Sequence, residues 1–338
     1  MSNRNQNIPL VRAAFKAPFE AAMQANNLDA SEYFQKVGLP VPAGEDKPDS
    51  LIPEKPFWEL INLVASREQI PDFGIQVAQL TPWHRVASLA PLIHSSANLL
   101  ELLDTFCKIA SKQSNTSKFE LIHKESHSSF ISRTETLFPS DRQMELYRVT
   151  SMIQLVQLAA GSGWTPDRVD FQMTRFRPFP SHPLYGKAKL RYAQANSRVV
   201  IPSVLLRLPV HLEIVETAAG SQAVFDIKQD FGETVRQLIL VYAASGCCKI
   251  DNIANLCEVS VRSLQRRLKA RGLSFKQLHN EVKLELAKQR LRDPEIAVTH
   301  IATELGYTDT AHFSRAFRRG AGVSPSQYRR SLIKGGQI

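Results

Sequence analysis

Residues 301–328 read IATELGYTDTAHFSRAFRRGAGVSPSQY, and residues 253–269 read IANLCEVSVRSLQRRLK. The two segments repeat one pattern at an offset of 48 to 49 residues. Each has a short apolar helix, a tight turn and a second helix that begins after a capping side chain, Ser260 or Asp309. This is the helix-turn-helix arrangement, whose second helix enters the DNA major groove. The sequence therefore predicts an all-α domain with two helix-turn-helix motifs, at residues 251–272 and 299–322.

The spacing of apolar residues separates an inward from an outward face on each second helix. Leu264 and Leu268 face inward in the first motif, and Phe313 and Phe317 in the second. Arg and Gln suit bidentate contacts with base edges, whereas Lys suits contacts with phosphates. The alternative to a DNA-binding face is a basic helix face that is only solvated. The outward residues are the candidate DNA contacts: Arg262, Ser263, Gln265, Arg266 and Lys269 in the first motif, and Thr310, Ala311, His312, Ser314, Arg315 and Arg318 in the second.

The outward set of the second motif is smaller and less basic, which predicts looser base reading there. For His312, packing on the shoulder of the helix is favoured over a pH-sensitive contact. Lys269 and Arg271 are expected to face phosphates.

Charge is distributed unevenly along the 338 residues. Residues 231–338 carry 18 Lys and Arg against 9 Asp and Glu, whereas residues 1–230 carry 24 against 23. A basic module joined to a nearly neutral one is typical of a polyanion-binding domain attached to another domain. A basic membrane-surface module would have a similar charge.

A single helix is predicted between the two motifs, over residues 275–291, with Ser274 as its cap. Pro294 is expected to end it, and Asp293 to cap the next helix. About 17 residues span roughly 26 Å, less than the roughly 34 Å between successive major grooves on one DNA face. The spacing predicts that the bound DNA bends.

These residues carry a family resemblance. They form a run that comprises Ile301-Ala302, Gly306-Tyr307, Asp309, Phe313-Ser314-Arg315-Ala316-Phe317, Gly322 and residues 324–329. This run resembles the signature of the AraC/XylS family of bacterial transcription regulators. The resemblance covers about residues 231–332. It implies contacts with promoter DNA and RNA polymerase. By that resemblance, base or backbone contacts fall on Arg262, Gln265, Arg266, Thr310, Ala311, Ser314 and Arg315.

Three positions depart from the family pattern. Glu258 stands where the first turn usually has Gly, and Lys283 stands where the linking helix usually has Arg, which predicts a weaker fixed ion pair. Ala311 replaces a small hydroxyl residue, so a phosphate contact is expected to be missing.

The first two-thirds of the chain repeats the order helix, strand, strand. Helices are predicted at residues 9–26, 56–66, 97–112 and 143–160, and a loop at 40–53. Strands are predicted at residues 118–124, 129–138, 168–174 and 198–202. The order predicts an α+β domain with an antiparallel sheet.

This region resembles the arabinose-binding-type N-terminal domain found before the same DNA module, over roughly residues 20–208. The resemblance implies an effector-binding or dimerisation domain at residues 1–208, a connecting helix or linker at 209–230 and the DNA-binding domain at 231–334. The helical pattern of residues 212–231 makes that segment a candidate for homodimerisation or coupling, with packing inside the domain an equal alternative.

Aromatic and cationic residues supply candidates for effector binding. Trp83, His84, Arg85, Arg175 and Arg177 could hold a carboxylate ligand. The favoured alternative is that the arginines are solvated and that Trp83 anchors the core. His123 and His127 share no metal-ligand spacing with a third residue, so neither a metal nor a cofactor is expected.

Other features limit the function classes. No segment approaches the about 20 apolar residues of a membrane span, and no signal peptide is evident, which predicts a cytoplasmic protein. Four cysteines (Cys107, Cys247, Cys248 and Cys257) are expected to be ordinary thiols. The leading hypothesis is a sequence-specific transcriptional regulator, an activator controlled by a small molecule. The alternative is a DNA-targeted enzyme or damage-responsive protein with a reactive cysteine, although Cys107 lies on an apolar face.

Overall fold

The computed structural model describes residues 9–39, 51–83, 95–110, 114, 116–134, 142–175, 182–210, 230–243, 248–257 and 259–335. These residues cluster into two compact units. The first comprises residues 9–210 apart from 51–53. The second comprises residues 230–335 together with a short strand at Leu51–Pro53.

The first unit contains a mixed five-stranded sheet. Its strands are β3 (Ser117–Ile122), β4 (His127–Thr134), β5 (Arg168–Asp170), β6 (Lys189–Arg191) and β7 (Ser197–Pro202), in the order β3-β4-β7-β5-β6. Strand β1 is Leu10–Arg12, and Leu51–Pro53 is β2. Three neighbouring pairs are antiparallel, as expected, but β5 and β6 are parallel. Strand β6 was not predicted, because its sequence, Lys-Leu-Arg, contains no run of apolar residues.

Helices of the first unit complete its α+β fold. They are α1 (Ala17–Ala25), α2 (Ala30–Lys36), α3 (Glu54–Arg67), α4 (Phe73–Leu80), α5 (Leu99–Ala110) and α6 (Arg142–Ala160). The α+β prediction is confirmed, and apart from the helix at residues 9–26 the predicted helices and strands overlap the observed ones. Helix α6 is buried along most of its length.

The predicted helix at residues 9–26 is wrong at its start. Leu10–Arg12 is a strand, Ala13–Lys16 is a 3₁₀ helix, and the α-helix begins only at Ala17. Pro18 lies in the first turn of α1, where a missing N–H costs nothing, so the local sequence favours a helix start there. The predicted loop at 40–53 is a strand over its last three residues, and the rest lies outside the described residues.

Glu145 joins α6 to the sheet. Its buried carboxylate accepts hydrogen bonds from the backbone N–H groups of Gln172 (2.5 Å) and Met173 (2.7 Å) and from the Ser197 hydroxyl (2.5 Å). These donors satisfy a charged group that would be costly to bury alone. Glu145 therefore fixes the end of β5 and the start of β7 relative to the helix.

The second unit is helical. It contains α7 (Phe231–Ala243), α8 (Ile250–Leu256), α9 (Val261–Lys269), α10 (Phe275–Arg290), α11 (Val298–Glu304), α12 (Thr310–Ala321) and α13 (Pro325–Gly335). The pairs α8–α9 and α11–α12 form the two expected helix-turn-helix motifs, and α10 is the expected single helix between them. The predicted helix at residues 212–231 falls almost entirely on residues outside the described ranges.

Side chains cap three of these helices as expected. Ser260 accepts from the N–H of Ser263 (3.2 Å), Ser274 from that of Gln277 (3.2 Å), and Asp309 from that of His312 (2.5 Å). The predicted Asp293 cap is wrong. The N-cap position of α11 is Ala297, because Asp293 instead accepts from the N–H of Glu295 (2.9 Å) in a local turn.

Helix α10 is attached at its C-terminal end to the second motif. Arg290 forms an ion pair with Glu304 of α11 (2.7 Å). Arg329 of α13 donates to the carbonyl oxygens of Leu291 (3.3 Å) and Ile296 (2.6 Å), on both sides of the turn that follows α10. These contacts restrict the angle between α10 and α11.

Replacing Gly74 by Ala should destabilise the first unit. An added Cβ would lie 2.0 Å from the Gln143 backbone oxygen, so α4 and α6 would have to separate. We expect a loss of about 1–3 kcal/mol of unfolding free energy. Urea unfolding followed by tryptophan fluorescence reports on this unit, because Trp58, Trp83 and Trp164 all belong to it.

Gly163→Ala is the matched control, since a Cβ there meets no atom within 4 Å and the φ angle is not positive. Its unfolding free energy should change by less than about 0.5 kcal/mol. Equal stability of the two variants would contradict the close approach at Gly74.

Candidate nucleic-acid interface and internal cavity

The first motif exposes a continuous basic face on α9. Leu264 and Leu268 are fully buried against Ile253 and Ala254 of the motif's core, which turns the opposite face of α9 outward. Arg262, Gln265, Arg266 and Lys269 are exposed, whereas Ser263 is half-buried and its hydroxyl accepts a hydrogen bond from Ser260 (3.0 Å). Within the described residues, none of the four exposed side chains has an ion-pair partner. They are free to meet an external polyanion.

The second motif is held by aromatic rings. Phe313 and Phe317 are buried, and their ring centroids lie 5.9 Å apart; Tyr307 packs on Phe313 at 5.4 Å, and Tyr328 on Phe317 at 5.5 Å. The candidate contacts lie on the opposite side of α12. Ala311, His312, Arg315 and Arg318 are exposed, and Thr310 and Ser314 are half-buried.

Two features make this second face different from the first. The exposed His312 ring lies edge-on to Tyr307 (centroid separation 5.5 Å). The pKa of Asp309 is lowered, mainly by the hydrogen bond from the His312 N–H and partly by the charge of Arg315. Asp309 thus adds a negative charge to this face, near Arg315.

Arg271, which the sequence predicts to face a phosphate, is paired within the protein. Its Nε donates to Asp230 (2.8 Å), and its guanidinium lies 5.3 Å from the centre of the Phe231 ring. Arg267 lies over the same ring at 5.5 Å. These contacts fix the start of α7 against the C-terminal end of α9.

The family departure at Lys283 has a structural counterpart. Its ammonium lies 4.6 Å from the centre of the Tyr307 ring, and burial lowers its pKa. This cation–π contact joins α10 to the second motif. At this position the family resemblance predicted a weaker fixed ion pair. Glu258 lies outside the described residues.

The first unit contains a small, largely apolar cavity of about 40 Å³. Trp83 and Phe106 stack in its wall at 4.6 Å, and Phe119 meets Phe106 at 5.0 Å. The polar part of the wall comes mainly from Glu54, Arg148, Ser114 and Ser117. The remaining aromatic residues that line it are Phe15, Phe57, Trp58 and Tyr147.

Of the five candidate effector residues, the structure describes Trp83 and Arg175, and it does not place both in the cavity wall. Trp83 lines the cavity and is 3% exposed, and its indole N–H donates to the Tyr147 hydroxyl (2.9 Å). Arg175 is exposed and is not part of the cavity wall. His84, Arg85 and Arg177 lie outside the described residues.

Sequence reasoning missed Glu54 and Arg148, the charged residues of the cavity. Both residues lie on helices among apolar residues. The sequence pattern alone does not distinguish a charged side chain that is buried at such a position from one that faces solvent. Arg148 is 5% exposed and Glu54 is 3% exposed.

The thiols of Cys107 and Cys257 are not activated. Burial, together with the charges of Asp104 and Glu120, raises the pKa of Cys107 to about 12. Burial raises the pKa of Cys257 to about 12, and Cys248 donates to the Ile239 carbonyl oxygen (3.1 Å). A thiol becomes nucleophilic when its pKa is lowered, so neither Cys107 nor Cys257 has the environment of a catalytic nucleophile.

Metal and membrane features were searched over the described ranges. No group of three or more His, Cys, Asp or Glu side chains in them is placed to hold a metal ion. None of the helices in that part of the chain is both long and apolar enough to span a bilayer.

Comparisons with curated proteins match part of this chain. It is 33% identical over 107 residues to the ornithine utilization regulator of Pseudomonas aeruginosa, covering 32% of this chain and 31% of that protein. It is 40% identical over 80 residues to the transcriptional activator RhaS of Escherichia fergusonii, covering 23% and 29% respectively. The matches thus span about a third or less of these relatives' own lengths.

Solved structures of two regulators align with this chain. The transcriptional regulator CdpR from Pseudomonas aeruginosa aligns with 97% of this chain and 100% of its own, at 16% identity and a TM-score of 0.40. The C-terminal domain of AraT, a response regulator from Geobacillus stearothermophilus, aligns with 30% of this chain and 86% of its own, at 32% identity and a TM-score of 0.28.

Two family models cover most of the chain. A helix-turn-helix domain model matches residues 253–331, where the two motifs lie. The model of the arabinose-binding domain of the AraC transcription regulator, N-terminal part, matches residues 28–210, which include the sheet and most of the residues that line the cavity. Since this second match alone covers more than half of the chain, the protein belongs to the AraC family of transcription regulators.

Proposed function

We propose that the protein is a sequence-specific transcriptional regulator that binds promoter DNA through both helix-turn-helix motifs and is controlled by a small molecule bound in the cavity of its first unit. The observation that carries the proposal is the unpaired basic face of α9 beside a second exposed helix face in the same compact unit.

We expect the two helix faces to contribute differently to DNA recognition. Arg262, Gln265 and Arg266 offer fork-like or amide groups that match guanine and adenine edges, and Lys269 offers a point charge for phosphate. The α12 face has fewer cations and carries the Asp309 carboxylate, which favours contacts that position the protein over strict base reading. The remaining proposed contacts are Ser263, Thr310, Ala311, His312, Ser314 and Arg318.

Control by an effector is supported by the family model over residues 28–210 and by the cavity within that range. A ligand changes DNA binding only if it binds two states of the protein with different affinities. The proposed division is an effector domain at residues 1–208, a connecting segment at 209–230 and a DNA-binding domain at 231–334. Activation through RNA polymerase and a homodimer belong to the same proposal.

Removing base-reading side chains should reduce sequence preference. Arg262→Ala or Gln265→Ala should each weaken binding to the chain's own promoter by about 1–3 kcal/mol while changing affinity for random DNA little. Competition gel shifts with promoter and scrambled duplexes measure the ratio. Equal losses on both duplexes would contradict base reading.

Removing a phosphate contact should act on all DNA alike. Lys269→Ala should weaken promoter and scrambled duplexes by the same factor and lower the slope of log affinity against log salt by about 1. Lys189→Ala, which removes an exposed charge from β6 in the first unit, is the matched control and should change neither quantity. A loss confined to the promoter duplex would show that Lys269 reads bases.

A reactive-cysteine function requires a thiolate at neutral pH. With Cys247→Ser and Cys248→Ser introduced together, only Cys107 and Cys257 remain. Because their pKa values are raised to about 12, both thiols stay protonated at pH 7–8, and the native protein should react with a thiol reagent far more slowly than the urea-unfolded chain. Native-state labelling as fast as that of the unfolded chain would favour the DNA-targeted enzyme or damage-responsive protein.

A further inference from the structure

The second unit contains a groove between α10 and α12. Its volume is about 540 Å³, and its sides are formed by residues 276–287 of α10, by residues 312–320 of α12 and by the turn of the second motif at residues 306–308. Of the candidate DNA contacts, His312 borders the groove and the others do not. The groove is therefore a surface that the proposed DNA contacts leave almost unused.

The groove and the candidate DNA face lie on different sides of α12. Three residues at helical spacing line the groove: His312, Ala316 and Arg319. Each follows by one position a residue of the exposed DNA face, which comprises Ala311, Arg315 and Arg318. One residue of an α-helix corresponds to a rotation of about 100° around its axis. A molecule bound in the groove therefore leaves the DNA face of α12 accessible.

The floor of the groove is apolar. Leu284 and Ala316 are half-buried, and Phe313 and Phe317 beside them are 1% and 2% exposed. The two helices approach closely at Gly320, where an added Cβ would lie 2.6 Å from a methyl carbon of Leu284. An apolar floor that water reaches favours an occupant with apolar side chains.

The border of the groove is cationic. Lys276, Lys283 and Arg319 line it, and Glu281 is the one carboxylate among the lining residues. Within the described part of the chain, none of the three cations has an ion-pair partner. Lys283 is half-buried, with its ammonium 4.6 Å from the centre of the Tyr307 ring. These unpaired charges favour an occupant that carries carboxylates.

The exposure of the groove favours a protein over other occupants. Asn280 and Glu281 on one side and Arg319 and Gly320 on the other are exposed, so the groove is open to solvent. A site for a small molecule buries most of its ligand, which an open groove does not. Nucleic acid would bring phosphates and sugars, which leave an apolar floor uncovered. An amphipathic helix covers such a floor with its apolar face.

We propose that the groove between α10 and α12 binds an acidic, amphipathic helix of a partner protein, whose apolar side chains pack on the floor and whose carboxylates pair with Lys276, Lys283 and Arg319. Lys276 and Lys283 lie two turns apart on α10, about 10 Å along its axis. Two acidic residues seven positions apart on the bound helix match this spacing. The proposal goes beyond promoter binding and effector control, because it adds a protein contact on the side of α12 that faces away from its DNA stripe.

Three labelled peptides of about 14 residues, long enough to span residues 276–287 as a helix, test the proposal on the unaltered full-length chain. The first has a stripe of leucines and two glutamates seven positions apart beside it. The second has lysines in place of the two glutamates, and the third has the composition of the first in an order without a stripe. By fluorescence anisotropy, the first should bind at least about tenfold more tightly than either control. No binding of the first, or equal binding of all three, would overturn the proposal.

A charge exchange tests where the peptide binds. Lys276→Glu combined with Arg319→Glu should weaken the glutamate peptide by at least about tenfold and strengthen the lysine peptide. Lys249→Glu combined with Arg330→Glu makes the same two changes at exposed positions of the same unit outside the groove, and should alter neither affinity by more than about twofold. Equal effects of the two double variants would mean that net charge alone governs binding, which contradicts the assignment to the groove.

Failure of this inference is separable from failure of the proposed function. If Lys276→Glu with Arg319→Glu does not fold, which thermal unfolding would reveal, the three peptides on the unaltered chain still decide. The glutamate peptide is then titrated into the chain bound to its promoter duplex, where its affinity should be unchanged within about twofold. Displacement of the peptide by the duplex would show that DNA occupies the groove and would overturn the proposal. A chain that binds no duplex would contradict the proposed function, while the titrations without DNA would still decide the occupant of the groove.

Discussion

The burial of one apolar stripe on each of α9 and α12 is the constraint on which the second unit depends. Leu264 and Leu268 are withdrawn from water on α9, as are Phe313 and Phe317 on α12. Removing such side chains from water stabilises the fold by about 1.5–3 kcal/mol each. Because each helix can bury only one side, its charged side chains must lie on the other. The exposed faces are a consequence of how the core is packed.

The relative position of the two faces depends on contacts that are polar or cationic. The Arg290–Glu304 ion pair and the Lys283–Tyr307 contact connect α10 to the second motif, and Arg236 of α7 forms an ion pair with Glu285 of α10. Such contacts contribute less free energy than the apolar core, but they have directional geometry. They set the angles between helices that the apolar core already holds together.

The first unit uses buried polar groups in a related way. Glu145 satisfies backbone N–H groups near the end of β5, and Glu54 satisfies two hydroxyls beside the cavity. Each carboxylate fixes the position of segments that are distant in sequence. The cavity lies between aromatic rings, some stacked and some packed edge-to-face, that leave a gap. An effector that fills this gap would gain contacts that no side chain of the wall provides.

The sequence by itself determined the elements whose signals are local. The caps at Ser260, Ser274 and Asp309 and the apolar period of α9 and α12 act within a few residues, so the two motifs and their exposed residues could be predicted before the structure. The helix-strand-strand order of the first unit was also predictable, although Leu10–Arg12 and β6 were not, because three-residue strands carry little periodic signal.

Only the tertiary structure decided which charged residues meet. Arg271 pairs with Asp230, 41 residues away, and Glu54 pairs with Ser114 and Thr116, about 60 residues away. The cavity likewise combines side chains from several separate segments, and of the two effector candidates that the structure describes, Trp83 lines it and Arg175 does not. Such encounters depend on how helices and strands pack, and a one-dimensional pattern does not contain the distance between residues that are far apart along the chain.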